Sequence, residues 1–420
     1  MITTMTNRYF TWVLLAGTLS TISCTEDDTP SAPAVEAPDA YSFTRNGQST
    51  VSFTGQTQRI MMATELAGSM KSFDEATEAS LLEMYRNEAE GGGDVAPFTE
   101  ASLNETDKSI REKVAASRDY FSANATEGVA IKNQFEDWIT RQVAEVFPNE
   151  EVAATPGVAG QIANGTRVRY VSEQGLEYDQ LVSKGLIGAL MVDQILNNYL
   201  SAAVLDEGDS RAENDAETPE GDAAYTYMEH RWDEAYGYAY GASADPANPN
   251  LTIGEDDSFL NEYIGQVSAD PDFSALADNI FDAFTLGRAA IVAGNYTVRD
   301  QQAEVIRENI SQVPAVRGVF YLQRGKEALE QSPDTPSNAF HALSEAYGFI
   351  YSLQFTRQPG TDTPYFSGEE VTDMLNTLLG DGANGLWDVT PETLDALSST
   401  IADRFGFTVE QAGSTEGVNQ

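Results

Sequence analysis

One segment occurs twice in this sequence, as HRWDEAYGYAY from His230 to Tyr240 and as HALSEAYGFIY from His341 to Tyr351. The copies share His, Glu, Ala, Tyr, Gly and a final Tyr at the same offsets, and the two histidines of the chain each open one copy. Neither copy contains Pro and both lie in apolar-periodic surroundings, so a helix places the His, the Glu and the Gly on one face. The fold must therefore accommodate two similar helices with a small polar face.

The shared face combines an imidazole, a carboxylate and a glycine. In the first copy His230 and Glu234 stand one helical turn apart, so they can hydrogen-bond each other or point together at a metal ion. Asp233 adds a carboxylate there, whereas Ser344 occupies the equivalent position in the second copy. Two interpretations remain open, namely a buried His–Glu pair that fixes helix register and a ligand or metal site.

The separation of the copies indicates two related halves. His341 follows His230 by 341 − 230 = 111 residues, which predicts a first helical half over 41–250 and a second over 251–410. If the motif helices face one another about a pseudo-twofold axis, four residues meet in one cluster, with Asp233 as a further ligand: His230, Glu234, His341 and Glu345. Imidazole and carboxylate together are a common ligand set for zinc, iron and manganese.

Five further residues are candidates to support such a site. Arg288, in the segment GRAA, is either a carboxylate partner in the same core or a surface arginine. Tyr236 and Tyr347 line a pocket in one interpretation and pack in the core in the other, which is more usual at helical spacing. Gly237 and Gly348 carry no side chain, so a backbone or a ligand can approach the face closely.

Helical periodicity dominates the rest of the sequence and predicts an all-α fold. Pro314 is expected to kink or break one of the helices. Apart from the first motif helix, apolar residues recur three and four apart over these ranges: 57–71, 76–88, 105–123, 127–147, 176–204, 256–268, 271–294, 298–330, 336–358, 367–379 and 391–404.

Two short β features are predicted within this helical fold. Residues 41–53 alternate apolar and polar side chains around Asn46-Gly47, the dipeptide that favours a tight hairpin turn, so we expect a small N-terminal β-hairpin. A short strand is predicted at 167–171, and residues 411–420 are expected to form a C-terminal tail.

An excess of acidic residues sets the surface chemistry. The chain has 24 Lys+Arg against 66 Asp+Glu, a formal net charge of −42. Such a surface repels nucleic acid and anionic membranes and attracts cations, metal ions included. Hydrophobic residues still make up 41%, which is enough for a folded core, so the charge indicates a solvated acidic surface on a globular protein.

The first residues predict export and lipid attachment. Residues 1–23 contain an apolar run from Tyr9 to Leu19 that is too short to cross a bilayer, as in a lipoprotein signal peptide. Cys24, the only cysteine, stands where such a peptide is cut and the thiol acylated. We therefore expect a lipid anchor in the outer membrane, followed by an acidic flexible tether over 24–40, with the body periplasmic or surface-exposed.

Motifs of conventional enzymes are absent from the sequence. It contains no G-x-S-x-G, no P-loop and no H-E-x-x-H. Both histidines are already used in the repeat, and no Ser stands out as a nucleophile beside either of them. We therefore expect a protein other than a conventional hydrolase.

Five segments carry a resemblance to a known group of proteins, namely YSFTRNGQSTVSFTGQTQRI, KGLIGALMVDQ, HRWDEAYGY, GRAAI and HALSEAYGFIYSLQF. As a set they resemble an uncharacterised family of helical bacterial lipoproteins, a domain of unknown function that is distantly similar to the imelysin family. The resemblance covers about residues 41–407. It implies two related imelysin-like helical bundles and an extracytoplasmic role linked to iron.

The imelysin resemblance also bears on the motif. Imelysin-like proteins are similar in carrying a G-x-H-x-x-E motif proposed for metal binding, and some are classed as metallopeptidases. Here Met228 and Ala339 stand where that Gly would be, and Asp233 and Ser344 stand at the position of the acid. We therefore expect a non-enzymatic protein that binds iron or zinc for uptake on the repeated His-x-x-x-Glu face. The alternatives are an imelysin-like metallopeptidase and a surface interaction protein with structural His–Glu pairs.

Overall fold

Helices dominate the part of the chain that this computed structural model describes, residues 35–164, 167–333, 335–380 and 382–414. The α-helices there, in chain order, are α1 (Thr54–Ser69), α2 (Glu78–Arg86), α3 (Ala101–Asn104), α4 (Ile110–Lys113), α5 (Ala125–Arg141), α6 (Tyr178–Leu186), α7 (Ala202–Leu205), α8 (Ser210–Asp215), α9 (Tyr227–Tyr240), α10 (Leu260–Ser268), α11 (Leu276–Val292), α12 (Tyr296–Gln331), α13 (Ser337–Ser352), α14 (Gly368–Leu379), α15 (Pro391–Phe405) and α16 (Val409–Ala412). The predicted all-α fold is confirmed. The predicted signal peptide and Cys24 lie outside the described residues.

Two small antiparallel hairpins accompany the helices. In the first, β1 (Thr44–Arg45) pairs with β2 (Gln48–Ser49), and Asn46 and Gly47 take left-handed φ values of 53° and 79°. Left-handed conformations at both central residues define the turn that matches strand twist, which confirms the predicted N-terminal hairpin. In the second, β3 (Gly160–Asn164) pairs with β4 (Arg167–Val171), the predicted short strand.

One continuous helix occupies the middle of the core. Helix α6 passes directly into a π-helical segment, Ile187–Tyr199, and we call the two together the central helix. Its few polar side chains hold other segments in place. The Asp193 carboxylate accepts hydrogen bonds from the backbone N–H groups of Ala116 and Ser117, both at 3.1 Å, and Asn197 donates to the carbonyl of Phe355 at 2.9 Å. None of the described helices has the length and apolar character needed to cross a membrane.

Both motif helices pack against the central helix. Helix α9 lies mainly along its π-helical half, whereas α13 lies mainly along α6. The long helix α12 packs in turn against α11, α13 and α15. A helix of the first predicted half, α6, thus packs closely against a helix of the second. The described residues belong to one compact unit, and the predicted division at residue 250 stays a prediction.

The structure corrects two details of the predicted helices. The range 105–123 is not one helix, since only Ile110–Lys113 is helical, and Ala115 takes a left-handed φ of 45°. The backbone N–H groups that follow serve instead to bind the carboxylate of Asp193 in the core. Of the kink or break expected at Pro314, the break is absent, because α12 is continuous over 36 residues, and the kink stays a prediction. Pro314 has no backbone N–H to donate, but packing along the length of α12 stabilises the helix despite this lost hydrogen bond.

Candidate functional site

The first motif copy forms a buried charge network with the N-terminal segment. Asp233 is fully buried, and its carboxylate accepts hydrogen bonds from the Tyr41 hydroxyl at 2.7 Å and the Ser52 backbone N–H at 3.1 Å. The Nε of Arg288 donates to the same carboxylate at 3.0 Å. Burial raises the pKa of Asp233 to about 6, although the positive charge of Arg288 opposes that rise. The network therefore joins α9 to the segment around the first hairpin.

Arg288 is the centre of this network and is itself fully buried. Its Nη1 contacts Glu229 at 3.0 Å, and its Nη2 donates to the hydroxyl and the carbonyl of Thr50 at 3.1 and 3.3 Å. Arg45 of the hairpin forms two further bonds to Glu229, at 2.8 and 2.9 Å. Two arginines thus face two carboxylates, so the buried charges compensate one another. Arg288 lies in the core as a carboxylate partner and not on the surface.

The histidine and the second acid of this copy point elsewhere. His230 Nδ1 lies 2.8 Å from the carboxylate of Glu220, in the loop before α9. Glu234 forms an ion pair with Arg231 and accepts a hydrogen bond from Gln56 at 3.0 Å. Among the described residues, His230 and Glu234 therefore have separate partners and form no pair with one another.

The second copy does bring its histidine near its acid. His341 Nδ1 lies 3.0 Å from the carboxylate of Glu177, and its Nε2 lies 3.7 Å from that of Glu345. The ammonium of Lys184, on the central helix, lies 3.4 Å from the other oxygen of Glu345. Ser344, the counterpart of Asp233, accepts a hydrogen bond from the backbone N–H of Glu177 at 3.0 Å. This copy therefore fastens α13 to the start of the central helix.

The electrostatics of the second copy favour a charged imidazole. Burial alone lowers the pKa of His341, but the hydrogen bond to Glu177 and the negative charges of Glu177 and Glu345 outweigh it, so the pKa lies above its usual value. Burial raises the pKa of Glu177, against the effect of His341. The pair is thus most favourable when the imidazole carries its proton.

The glycines of the motif lie at close helix contacts. A Cβ at Gly237 would lie 2.4 Å from the Cβ of Phe53, and one at Gly348 would lie 2.5 Å from the Cβ of Lys184. Because glycine has no side chain, the N-terminal segment packs closely against the first copy and the central helix against the second.

The motif tyrosines pack in the core. Tyr236 stacks on Tyr41 with ring centroids 3.6 Å apart, and its hydroxyl donates to the carbonyl of Pro246 at 2.7 Å. The ring of Tyr347 meets that of Trp138 edge-on at 6.1 Å. Neither hydroxyl approaches the motif acids through a hydrogen bond among the described residues, so both rings serve as packing.

The predicted ligands do not come together as one cluster. Within the described part of the chain, no group of three or more His, Cys, Asp or Glu is placed to hold a metal ion. The four residues of the predicted cluster lie in two separate sets of contacts, one on α9 and one on α13: His230, Glu234, His341 and Glu345. Their assignment as metal ligands stays a prediction.

A cavity beside the second copy was missed by the sequence analysis. Its volume is about 540 Å³, and His341 and Glu345 lie in its wall. Four arginines line it as well: Arg167, Arg169, Arg317 and Arg324. The sequence held a weak signal for them, since the first two alternate along one strand and the last two stand seven residues apart on one helix.

Comparison with known proteins gives one match. No curated protein and no solved structure matches the chain. One family model matches residues 38–408, which includes both motif copies and both hairpins. The more distant link to the imelysin family stays a prediction. Because that match covers most of the sequence, the chain belongs to the family described as a domain of unknown function (DUF4856).

Proposed function

We propose that the protein is a non-enzymatic binding protein of the outer membrane, anchored by a lipid on Cys24, in which both motif copies are structural. The observation that supports this most strongly is that each motif carboxylate has its own cation. Three pairs show it: Asp233 with Arg288, Glu234 with Arg231, and Glu345 with Lys184. A fixed positive charge beside each acid opposes the approach of a metal cation, whereas it stabilises a buried carboxylate.

Each copy then has a definite mechanical role. The first holds the N-terminal hairpin on α9 and α11 through Tyr41, Arg45 and Arg288. The second holds α13 on the start of the central helix through His341 and Glu177. Because charged pairs and hydrogen bonds are directional whereas apolar contacts are not, these pairs help to fix the register of both segments.

The anchor and the charge fit a body held away from a membrane. Residues 24–40 would connect the lipid on Cys24 to Tyr41, whose backbone N–H donates to the carbonyl of Ala247 at 2.9 Å. The formal net charge of −42 repels anionic lipid headgroups. A tether of this length would leave the helical body free to bind a ligand in the surrounding medium.

Metal binding for uptake, with iron or zinc, is the second candidate. One observation favours it at the second copy, where carboxylates flank both ring nitrogens of His341 at 3.0 and 3.7 Å. An imelysin-like metallopeptidase would need that metal and, in addition, an open coordination position.

Unfolding of a double variant separates these candidates. The pair His230→Asn and His341→Asn removes both imidazoles and keeps side chains of similar size. If the pairs are structural, the variant unfolds at a lower temperature than the wild type, and a chelator leaves both melting curves unchanged. If a metal is bound, the chelator lowers the melting temperature of the wild type to that of the variant. That second result would contradict the structural proposal.

A further inference from the structure

In the described part of the chain, arginines lack a carboxylate partner in only one place. In a protein with 66 Asp+Glu and 24 Lys+Arg, acids are abundant and an arginine readily finds one. Every other described arginine forms an ion pair with a carboxylate. The exceptions are Arg167, Arg169 and Arg317, and all three line the cavity beside the second motif copy.

Arg317 is the most unusual of the three. Only 2% of its surface is exposed, yet its guanidinium has no hydrogen bond or ion pair with any described residue, and its Nε is buried without a partner. Its central carbon lies 4.0 Å from the ring centroid of Phe320, 4.6 Å from that of Tyr321 and 5.4 Å from that of Tyr263. Ring faces offset part of the desolvation of a guanidinium but satisfy none of its N–H donors in the plane. A buried guanidinium without a hydrogen-bond or ion-pair partner is stabilised when an anion binds beside it.

The other two unpaired arginines come from β4. Arg167 and Arg169 alternate along the strand and so project from the same face of the hairpin. The Nε of Arg169 is buried without a partner, as in Arg317. Two chain segments far apart in sequence, β4 and α12, thus bring guanidinium groups to one cavity.

The acids of the cavity leave a positive balance. Glu327 is paired with Arg324 at 2.6 Å, and Glu345 lies against Lys184 at 3.4 Å. The lining holds four arginines and two glutamates, so its formal charge is 4 − 2 = +2 with His341 neutral, and higher when His341 is protonated. A positive cavity in a protein with a net charge of −42 concentrates small anions there against the field of the surface.

We infer that this cavity binds a small oxyanion with at least two negative charges, a polycarboxylate or a phosphate, through Arg317, Arg169 and Arg167. Planar guanidinium groups bind carboxylate and phosphate oxygens in pairs, which suits this ligand class better than a halide. The volume of about 540 Å³ falls within the range of small-molecule sites. The inference names a ligand class for the proposed binding role and rests on it.

Calorimetric titration tests the inference, with citrate and inorganic phosphate as the two probes at low ionic strength. We expect saturable binding of at least one probe, and the probe that binds tells a polycarboxylate site from a phosphate site. Arg317→Gln should weaken that binding by about tenfold or more, since it removes charge-assisted hydrogen bonds. Absence of binding by both probes, or equal binding by the variant, would overturn the inference.

A matched control and a second variant keep the result interpretable. Arg118→Gln makes the same charge change at a half-exposed ion pair with Glu207 outside the cavity lining, and its affinity should equal that of the wild type. If Arg118→Gln weakens anion binding as much as Arg317→Gln does, the effect comes from net charge in general, and the inferred binding site is wrong. If Arg317→Gln fails to fold, the double variant Arg167→Gln, Arg169→Gln replaces it, and unchanged affinity there also overturns the site.

The titration also separates this inference from the structural proposal on which it rests. If the wild type binds neither anion, the inference fails. The structural role of the motif copies is still tested separately, by the melting temperature of the double histidine variant. A rise of the wild-type melting temperature in citrate or phosphate, absent in Arg317→Gln, gives an independent check of binding to the folded state.

Discussion

The two copies of the motif share six identities but have different surroundings. In the first copy, Asp233 and Arg288 lie in a closed network in which every buried charge faces an opposite one. In the second copy, Ser344 replaces the aspartate, no arginine lies against it among the described contacts, and His341 borders a cavity. Similar sequences thus form a closed charge network in one copy and, where a serine replaces the aspartate, a polar face beside a cavity in the other.

The glycines show the same divergence in packing. Gly237 admits Phe53 from the N-terminal segment, whereas Gly348 admits Lys184 from the central helix. The second arrangement places an ammonium group beside Glu345. The same glycine therefore leaves room for a different neighbour in each copy, and only the second neighbour brings a charge.

The largest effect is expected from opening the closed network. Arg288→Met leaves Asp233 and Glu229 buried with one cation fewer, which should lower the free energy of unfolding by about 3 to 5 kcal/mol, measured by urea denaturation. Arg404→Met, at an exposed ion pair with Glu370, is the control and should change it by less than about 1 kcal/mol. If Arg288→Met lowers the free energy of unfolding no more than the control does, the charge network does not stabilise the contact between α9 and the N-terminal segment.

An intermediate effect is expected from the two glycines. Gly237→Ala and Gly348→Ala each place a Cβ within about 2.5 Å of a neighbouring Cβ, so each should destabilise the fold by about 1 to 3 kcal/mol. Gly68→Ala is the matched helical control, because nothing lies within 4 Å of its added Cβ, and its unfolding temperature should stay level or rise. If all three variants melt alike, the close contacts at the motif glycines play no part in stability.

The smallest effect is the pH dependence that the second copy contributes above pH 6. The pKa of His341 in the folded protein lies above its usual value, so the protonated imidazole stabilises the fold. This stabilisation is fully present below the unfolded pKa of about 6.5 and is lost as pH rises through the folded pKa. Ionisation of the buried Glu177 acts in the same direction, since burial raises its pKa. The free energy of unfolding should therefore fall from pH 6 toward pH 9, with a shallower slope in His341→Asn. If the free energy of unfolding falls with the same slope in the wild type and in His341→Asn, the carboxylates beside His341 do not raise its pKa in the folded protein.

Local sequence patterns predicted the fold class but not every element. The dipeptide Asn46-Gly47 and the helical apolar periods were sufficient for the hairpin and most helices, since both are set by backbone preference and burial over a short range. The range 105–123 failed because its N–H groups bind Asp193, a residue far along the chain whose position no local pattern reveals.

The candidate site was only partly predictable for the same reason. Helical spacing placed His230 and Glu234 on one face, but neighbours from other segments, Glu220 and Gln56, compete for their hydrogen bonds. The unpaired state of Arg317 cannot be seen in a sequence at all, because it depends on which acids fail to reach it once the chain has folded. Spacing thus identifies candidate residues, whereas tertiary contact decides their partners.

The central claim is that the motif carboxylates are held by cations of the protein itself and not by a metal ion. Metal content by mass spectrometry tests it most directly, on the mature chain purified without a chelator or a histidine tag, beside the variant His230→Asn, His341→Asn. The account predicts no stoichiometric iron, zinc or manganese in either protein, and none taken up when the ions are added. A stoichiometric amount of one of these metals in the wild type, lost in the variant, would contradict it.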